Sequence, residues 1–349
     1  MLKERVSKII RSFLIYTVAS LILLFPTVAA ESTVNSINVC LNSVIPSMFA
    51  FMVISTYIQN SGLYRTVFRP VFPLLKKIIK ADDNILSIFL LSLIGGYPVG
   101  VKLLGETIAQ NKNYHEIVSA CEYASSFCYC ISPAFAIIMI GDGVFGSTSV
   151  GGIIYLSNVL ACLTVAVIVS RRTKLCSEGS VSKSEKGLTD AVNSASKSLF
   201  VICSIIIAFN ILLSCITAAI SAFGFTFDPM ILGFFEISNL LRLSSFSLLS
   251  VPVISAIASM GGICVLIQCT AIIRNIFSVK KFIIARLPCM LLSILYSFLF
   301  LQLTDISVPV AALSSGYTYS FSANKIIVPI LIAMCTIIFY KSDNFHKKV

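Results

Sequence analysis

The sequence predicts an all-α polytopic membrane protein with about 8–10 membrane segments, some of them re-entrant or broken. Of its 349 residues, 57% are hydrophobic and only 12% are charged, whereas a globular domain has about 25% charged residues. The apolar residues also form long runs, at 12–30, 150–169, 199–223 and 282–303. Each run is near the ~20 residues that cross a bilayer core. Open β-sheets are excluded because unpaired backbone groups are costly in lipid.

The apolar runs also predict an order of elements. The candidate membrane segments are residues 12–30, 40–59, 85–105, 117–140, 150–169, 198–223, 228–247, 250–273, 282–303 and 325–340. We expect an N-terminal anchor helix in 1–39, a first repeat in 40–170, a hydrophilic cytoplasmic linker in 171–197, a second repeat in 198–303, and a C-terminal helix and tail in 304–349. The first 30 residues imitate a cleavable signal peptide, but the many later spans favour an uncleaved helix.

Two matches in the same order indicate that the halves are repeats. Asn42-Ser43 followed by SMF at 47–49 corresponds to Asn193-Ser194 followed by SLF at 198–200, and SLIGG at 92–96 corresponds to ASMGG at 258–262. Repeats of this kind are typical of secondary transporters, whose substrate sites lie at the repeat interface near the midplane of the membrane. In this alignment Gln268 is the equivalent of Lys102.

The net charge of +11 does not indicate nucleic acid as a partner, because the basic residues collect in short segments between apolar runs. Segments 3–11, 65–80 and 171–186 have the bias of cytoplasmic loops, which predicts a cytoplasmic N-terminus. An even number of crossings has to separate two segments on the same side of the membrane. Segment 85–105, and either 228–247 or 250–273, are therefore expected to be re-entrant. The 12 cysteines are scattered beside only 2 histidines, so we expect packing residues and no metal or cofactor.

The strongest interruption of an apolar run is the sequence GGYPVG at 95–100. Three glycines and a proline within six residues predict a broken helix, and Gly261-Gly262 interrupts the equivalent run more mildly. A helix that restarts after such a break presents free N–H groups and a positive dipole end. We therefore expect residues 93–101 to be non-helical or kinked, and to lie near 259–268.

Three of the ionisable residues inside predicted membrane segments are the candidates for function: Lys102, Glu122 and Glu236. Each costs about 2.5–3.5 kcal/mol at the bilayer centre on insertion scales, so each requires a reason to be there. Lys102 follows the predicted break and would favour an anionic solute, with Gln268 opposite. Glu122 and Glu236 could bind a coupling proton or cation. The alternatives are that Lys102 snorkels to the interface, that Glu122 lies in the headgroup zone, and that Glu236 pairs with Arg242.

No pattern of residues indicates an enzyme. The chain lacks a nucleophile elbow, a phosphate loop, an acidic metal cluster and a histidine beside a serine or cysteine in an apolar site. The sequence therefore predicts a non-enzymatic membrane protein.

Several motifs, in the same order, resemble those of the sporulation integral membrane protein YlbJ family, also called stage V sporulation protein V. That family belongs to the nucleoside-recognition (Gate) group. The matching segments are IPSMF at 45–49, SGL at 61–63, GGYPVGVK at 95–102, FCYCISPAF at 127–135, GVFGS at 143–147, EISN at 236–239, GGICVLIQ at 261–268 and ARL at 285–287. The chain departs from the family pattern at Tyr129, Cys130, Leu240, Cys264 and Leu266, which replace polar groups or a glycine.

The resemblance implies a fold similar to concentrative nucleoside transporters and a role in moving dipicolinic acid, a small aromatic dianion, toward the developing spore. Together with the broken helices and the repeat, it leads us to expect a substrate site with residues from both repeats: Gly95, Gly96, Tyr97, Pro98, Lys102, Ser132, Ser238, Asn239, Gly261, Gly262 and Gln268. The expected location is the mother-cell-derived membrane around the forespore. The alternatives are a nucleoside or nucleobase transporter, and a non-transporting membrane protein that helps assemble the spore.

Overall fold

The computed structural model describes residues 2–111, 115–176, 187–242, 250–273, 276, 278 and 280–304. These residues form helices and connecting loops, with one isolated β-bridge between Ala81 and Leu175. The predicted membrane segment 325–340 and the C-terminal tail lie outside the described residues. The all-α class predicted from composition is confirmed for the part of the chain that is described.

Sixteen α-helices follow one another in the described residues. Those before the hydrophilic linker are α1 (Leu2–Leu24), α2 (Pro26–Val39), α3 (Ile45–Asn60), α4 (Tyr64–Val67), α5 (Phe72–Ile78), α6 (Asp83–Gly95), α7 (Tyr97–Gln110), α8 (His115–Ala124), α9 (Gly143–Phe145) and α10 (Thr148–Arg172). Those after it are α11 (Leu188–Ser221), α12 (Pro229–Phe235), α13 (Ser250–Met260), α14 (Gly262–Ile272), α15 (Lys280–Ile284) and α16 (Arg286–Leu303). Wider π-helical turns occupy Cys40–Val44 and Ala134–Asp142, and a 3₁₀-helix occupies Ile237–Arg242.

Four of these helical stretches are long and apolar enough to cross a membrane. They are Thr148–Arg172, Leu188–Ser221, Ser250–Ile272 and Lys280–Leu303, and a fifth is present if the bent pair Ile15–Leu24 and Pro26–Asn42 counts as one span. The described residues therefore support a polytopic membrane protein with four or five long apolar spans. The total of about 8–10 membrane segments, which includes re-entrant and broken ones, stays a prediction.

Two predicted segments are not continuous helices. Segment 117–140 contains the end of α8, an irregular buried stretch and a π-helical turn, and segment 228–247 contains the seven-residue α12 and a 3₁₀-helix. The length of an apolar run predicts whether a segment can span the bilayer, but it does not reveal such breaks. The division into repeated halves stays a prediction.

The predicted anchor at 12–30 is not one straight helix, because α1 and α2 meet at a 96° bend. Phe25 lies at the bend and Pro26 begins α2. Proline fits the first turn of a helix, where no N–H bond is required, but it cannot continue a preceding helix. After the bend, α2 packs along α11, and the Ser214 hydroxyl donates to the Ser32 hydroxyl over 3.0 Å.

The hydrophilic linker is shorter than the predicted 171–197. Helix α11 begins at Leu188, with the Gly187 N–H donating to the Asp190 carboxylate over 3.1 Å. Ala191 and Ala195 are buried on the inner face of this first part. Residues 188–197 are thus the polar start of a membrane helix, and 177–186 lie outside the described residues.

Two of the basic segments lie side by side. Asp82 donates its N–H to the Leu175 carbonyl over 3.1 Å, next to the bridge at Ala81. An open cavity of about 530 Å³ at this junction is lined by Lys76, Lys80 and Lys174, among others. Both predicted cytoplasmic loops therefore reach the same end of the helices, in agreement with a common side of the membrane.

Candidate functional site

The predicted helix break is present, and it occurs at one residue. Helix α6 ends at Gly95, and Gly96 has φ +87° before α7 begins at Tyr97. This left-handed conformation favours glycine, and Pro98 in the first turn of α7 has no N–H to donate. Residues 93–101 are therefore sharply interrupted without being unwound, because helix resumes immediately on each side of Gly96.

The break is packed against a buried irregular segment, 129–132, between α8 and the π-helical turn. A Cβ atom on Gly96 would lie 3.1 Å from the Ser132 Cβ, and one on Gly100 would lie 2.2 Å from the Cys128 carbonyl oxygen. The Ser132 hydroxyl accepts from the Phe135 N–H over 3.3 Å. Two glycines of GGYPVG thus allow backbone to approach backbone, which no larger side chain would permit.

A second break lies across from the first. Gly261 and Gly262 have φ +79° and +80° between α13 and α14. The Tyr97 hydroxyl donates to the Ala258 carbonyl, and the Tyr129 hydroxyl donates to the Met260 carbonyl over 2.7 Å. These carbonyls lie in the last turn of α13, where a helix leaves acceptors without intrahelical partners. The predicted proximity of 93–101 to 259–268 is confirmed, because α7 packs against α14 and a Cβ on Gly261 would lie 3.3 Å from the Tyr97 ring.

Tyr129 has a role that the sequence did not indicate. In the sequence comparison with the family motifs, Tyr129 is one of the departures, and it suggests that a polar group has been lost. In the structure its ring is buried, 4.7 Å from the Tyr97 ring centroid, and a Cβ on Gly261 would lie 2.1 Å from its hydroxyl oxygen. The tyrosine occupies the space that Gly261 leaves.

Glu236 lies beside the second break and is only 2% exposed. A Cβ on Gly262 would lie 3.5 Å from the Glu236 Cα. One carboxylate oxygen of Glu236 accepts from both the N–H of Ser238, over 2.7 Å, and its hydroxyl. The Asn239 amide donates to the Glu236 carbonyl over 3.2 Å. These three predicted site residues form one local turn. The turn is adjacent to the place where the breaks at Gly96 and Gly261-Gly262 meet, which we call the glycine crossing.

Lys102 does not lie in the first turn after the break, as predicted, but in the second turn of α7. Its side chain is 4% exposed, so it does not snorkel. The ammonium donates to the Thr56 hydroxyl over 2.7 Å and pairs with Glu106 over 2.8 Å. The carboxylate that pairs with Lys102 is therefore Glu106 on the same helix.

Glu106 is the functional residue that sequence reasoning missed. The Oε1 atom that pairs with Lys102 also accepts from the Ser194 hydroxyl on α11 over 2.6 Å. Its other oxygen, Oε2, is buried with no hydrogen-bond partner among the described residues. The spacing of four residues from Lys102, at which helical side chains are neighbours, could have identified the pair.

A small polar cavity borders this carboxylate. Its volume is about 20 Å³, which is about the space that one water needs. The cavity is lined by Gln59, Asn60, Tyr64, Asn84, Glu106, Thr107 and Asn111. Gln59 donates to the Asn84 side chain and accepts from the Ser87 hydroxyl over 3.0 Å. Helices α3, α4, α6 and α7 thus bring hydrogen-bonding groups together around Glu106.

Glu122 and Gln268 lie apart from this cluster. Glu122 forms an ion pair with Lys281 over 3.0 Å and accepts from the Ser278 N–H over 3.0 Å. Both side chains are partly exposed, at 17% and 34%. Gln268 is buried and donates to the Cys264 sulfur over 3.3 Å. These partners lie outside the Lys102 cluster, so the structure does not bring Lys102, Glu122 and Gln268 together in one site.

Arg286 is a second buried cation, only 2% exposed, and the described carboxylates form no ion pair with it. The guanidinium donates to the carbonyls of Ser126 and Tyr129, just past the end of α8, and to that of Phe282. It also lies over the Tyr129 ring, 4.5 Å from the centroid. Carbonyl dipoles at a helix end favour a cation, which explains a buried charge that lacks a carboxylate partner.

We expect Arg286→Met to destabilise the protein by about 2–4 kcal/mol, because the Ser126 carbonyl loses its donor and the ring loses its cation. Arg286→Lys should recover only part of the loss, since an ammonium cannot match the planar fork. The measurement is the unfolding temperature of the purified protein in detergent. Equal stability of Arg286→Met and wild type would show that these carbonyls have other donors.

No family model, curated protein or solved structure matches this chain. The function is therefore inferred from the Lys102 cluster and the two helix breaks.

Proposed function

We propose that the protein is a membrane transporter for a small anionic aromatic metabolite, with dipicolinic acid as the first substrate to test. The observation that carries the proposal is the Lys102 ammonium, buried among apolar helices in the second turn after a helix break. A buried ammonium is costly in a membrane helix unless it has a function or a partner. Here the partner, Glu106, is a carboxylate that lines a polar cavity, so a proton can neutralise it.

The glycine crossing supports the same proposal. Broken helices that meet near the centre of a bundle are the usual construction of transporter sites, and the breaks at Gly96 and Gly261 are tied to each other by Tyr97 and Tyr129. The proposed location is the mother-cell-derived membrane around the forespore, with the N-terminus and the basic segments in the cytoplasm.

A non-transporting membrane protein that assists spore assembly is the second candidate. The observation that favours it is that Lys102, Glu236 and Gln268 are each buried with local partners. In that case the polar residues only join helices. A nucleoside or nucleobase carrier is a further candidate, supported by the amide groups of Gln59 and Asn84 on the cavity.

The test is uptake of radiolabelled dipicolinate into proteoliposomes that contain the purified full chain. We expect saturable uptake that unlabelled dipicolinate competes away and uridine does not. Competition by uridine alone would favour the nucleoside carrier. In the organism, deletion should lower the dipicolinate content of spores and added dipicolinate should restore it. Absent uptake, together with normal dipicolinate content in the deletion strain, would overturn the proposal.

A further inference from the structure

The Lys102 ammonium is not available to a solute in the described state. It donates to the Thr56 hydroxyl and to the Glu106 carboxylate, and its side chain is 4% exposed. An incoming carboxylate that reached the ammonium would therefore lie beside the Glu106 carboxylate. Two carboxylates around one ammonium would leave an excess negative charge in a poorly solvated site, which is strongly unfavourable.

Glu106 can leave this pairing by one simple route, which is to accept a proton. Its Oε2 atom is buried with no hydrogen-bond partner among the described residues, and Glu106 lines the polar cavity of about 20 Å³. A water in a cavity of this size could bring a proton to that oxygen. The groups that line the cavity or bond the carboxylate are Lys102 on α7, Tyr64 on α4, and the neutral Gln59, Asn84 and Ser194 on α3, α6 and α11.

We propose that Glu106 is an internal counter-ion of Lys102 and that its protonation releases the ammonium to bind the carboxylate of the transported anion. The proton moves from water to Glu106 Oε2, and the ammonium exchanges the Glu106 carboxylate for that of the substrate. One proton and one anion thus enter the site together. The inference rests on the proposed function, and it replaces Glu122 and Glu236 as the predicted coupling residues.

The scheme makes the binding of anions dependent on pH. Between about pH 6 and pH 8.5 both carboxyl groups of dipicolinate stay ionised, so any change in affinity belongs to the protein. If binding requires one proton, the affinity of the wild type falls by about tenfold per pH unit at the alkaline end. Glu106→Gln carries a neutral side chain of the same shape at all pH values. Its affinity should therefore be constant, and at about pH 8 at least tenfold higher than that of the wild type.

The experiment measures dipicolinate binding to the purified full chain by calorimetry across this pH range. Glu122→Gln is the matched control, since it removes another partly buried carboxylate that pairs with a lysine; it should keep the wild-type pH profile. Ser194→Ala removes a donor from the ionised Glu106, so its binding curve should move to higher pH. A Glu106→Gln variant that follows the wild-type pH profile would overturn the inference, whereas the proposed transport function would still stand.

A second measurement covers the case in which Glu106→Gln does not fold. Binding of dipicolinate to wild-type protein in weakly buffered solution should take up about one proton per anion, reported by a pH-sensitive dye. Binding without proton uptake would overturn the inference. Absence of any dipicolinate binding, to the wild type and to Glu106→Gln at every pH, would instead overturn the proposed function.

Discussion

Lys102→Met abolishes transport in the proposed mechanism, with at least a 100-fold loss of initial uptake rate at equal amounts of protein. The desolvation of an anion's carboxylate is no longer offset by an opposite charge in the site, and about 3 kcal/mol of lost interaction corresponds to that factor. Lys102→Arg should retain part of the activity, because the charge persists with a different shape. The measurement is dipicolinate uptake into proteoliposomes.

The same substitution has a separate effect on folding, because it leaves the partly buried Glu106 without its cation. We expect lower membrane levels of Lys102→Met and normal levels of the double variant Lys102→Met/Glu106→Gln, in which no charge remains unpaired. The double variant should still not transport. Transport equal to wild type by either variant, at matched levels, would leave Lys102 a purely structural residue.

Gly100→Ala has the largest expected effect on stability. Its Cβ would lie 2.2 Å from the Cys128 carbonyl oxygen and 2.6 Å from the Ser92 Cβ. The first of these is backbone, which cannot move aside as a flexible side chain can. We expect a loss above about 3 kcal/mol, beyond ordinary overpacking, and therefore little folded protein in detergent. The measurement is the monodisperse yield and the unfolding temperature.

Gly152→Ala in α10 is the matched control, since a Cβ there meets nothing within 4 Å; its stability should be at or above that of wild type. Gly261→Ala offers a second comparison, because its Cβ would meet the Tyr129 hydroxyl at 2.1 Å. Adding Tyr129→Phe removes the clashing hydroxyl, so part of the lost stability should return. The cost of placing alanine at φ +79° should remain. A stable Gly100→Ala would contradict the crossing of the Cys128 backbone over α7.

The break at Gly96 could be predicted because its cause is local, in glycines and a proline close together in an apolar run. The burial of Lys102 could not be decided in this way, because it depends on Thr56, which is on another helix. The pairing of Glu122 with Lys281 could not be predicted either, since 159 residues separate them and no helical spacing relates them. The environment of Arg286 consists of backbone carbonyls, which every residue has, so the sequence contains no signal for it.

The irregular segment 129–132 could not be predicted for a related reason. It is buried inside an apolar run, so composition does not distinguish it from the helices beside it. The bend at Pro26 is different, because a proline within an apolar run predicts an interruption of the helix. Only its size, 96°, needed the structure.

The two tyrosine bonds across the glycine crossing limit how the molecule can move. Tyr97 and Tyr129 hold the end of α13 by its Ala258 and Met260 carbonyls, so sliding α6 and α7 past α13 and α14 would leave two buried acceptors unpaired. Each such loss costs about 1–3 kcal/mol. We therefore expect the crossing to act as a fixed pivot. Any opening of a path to Lys102 then has to come from the helices on its other side, α3 and α11, which bond the cluster through the Thr56 and Ser194 hydroxyls.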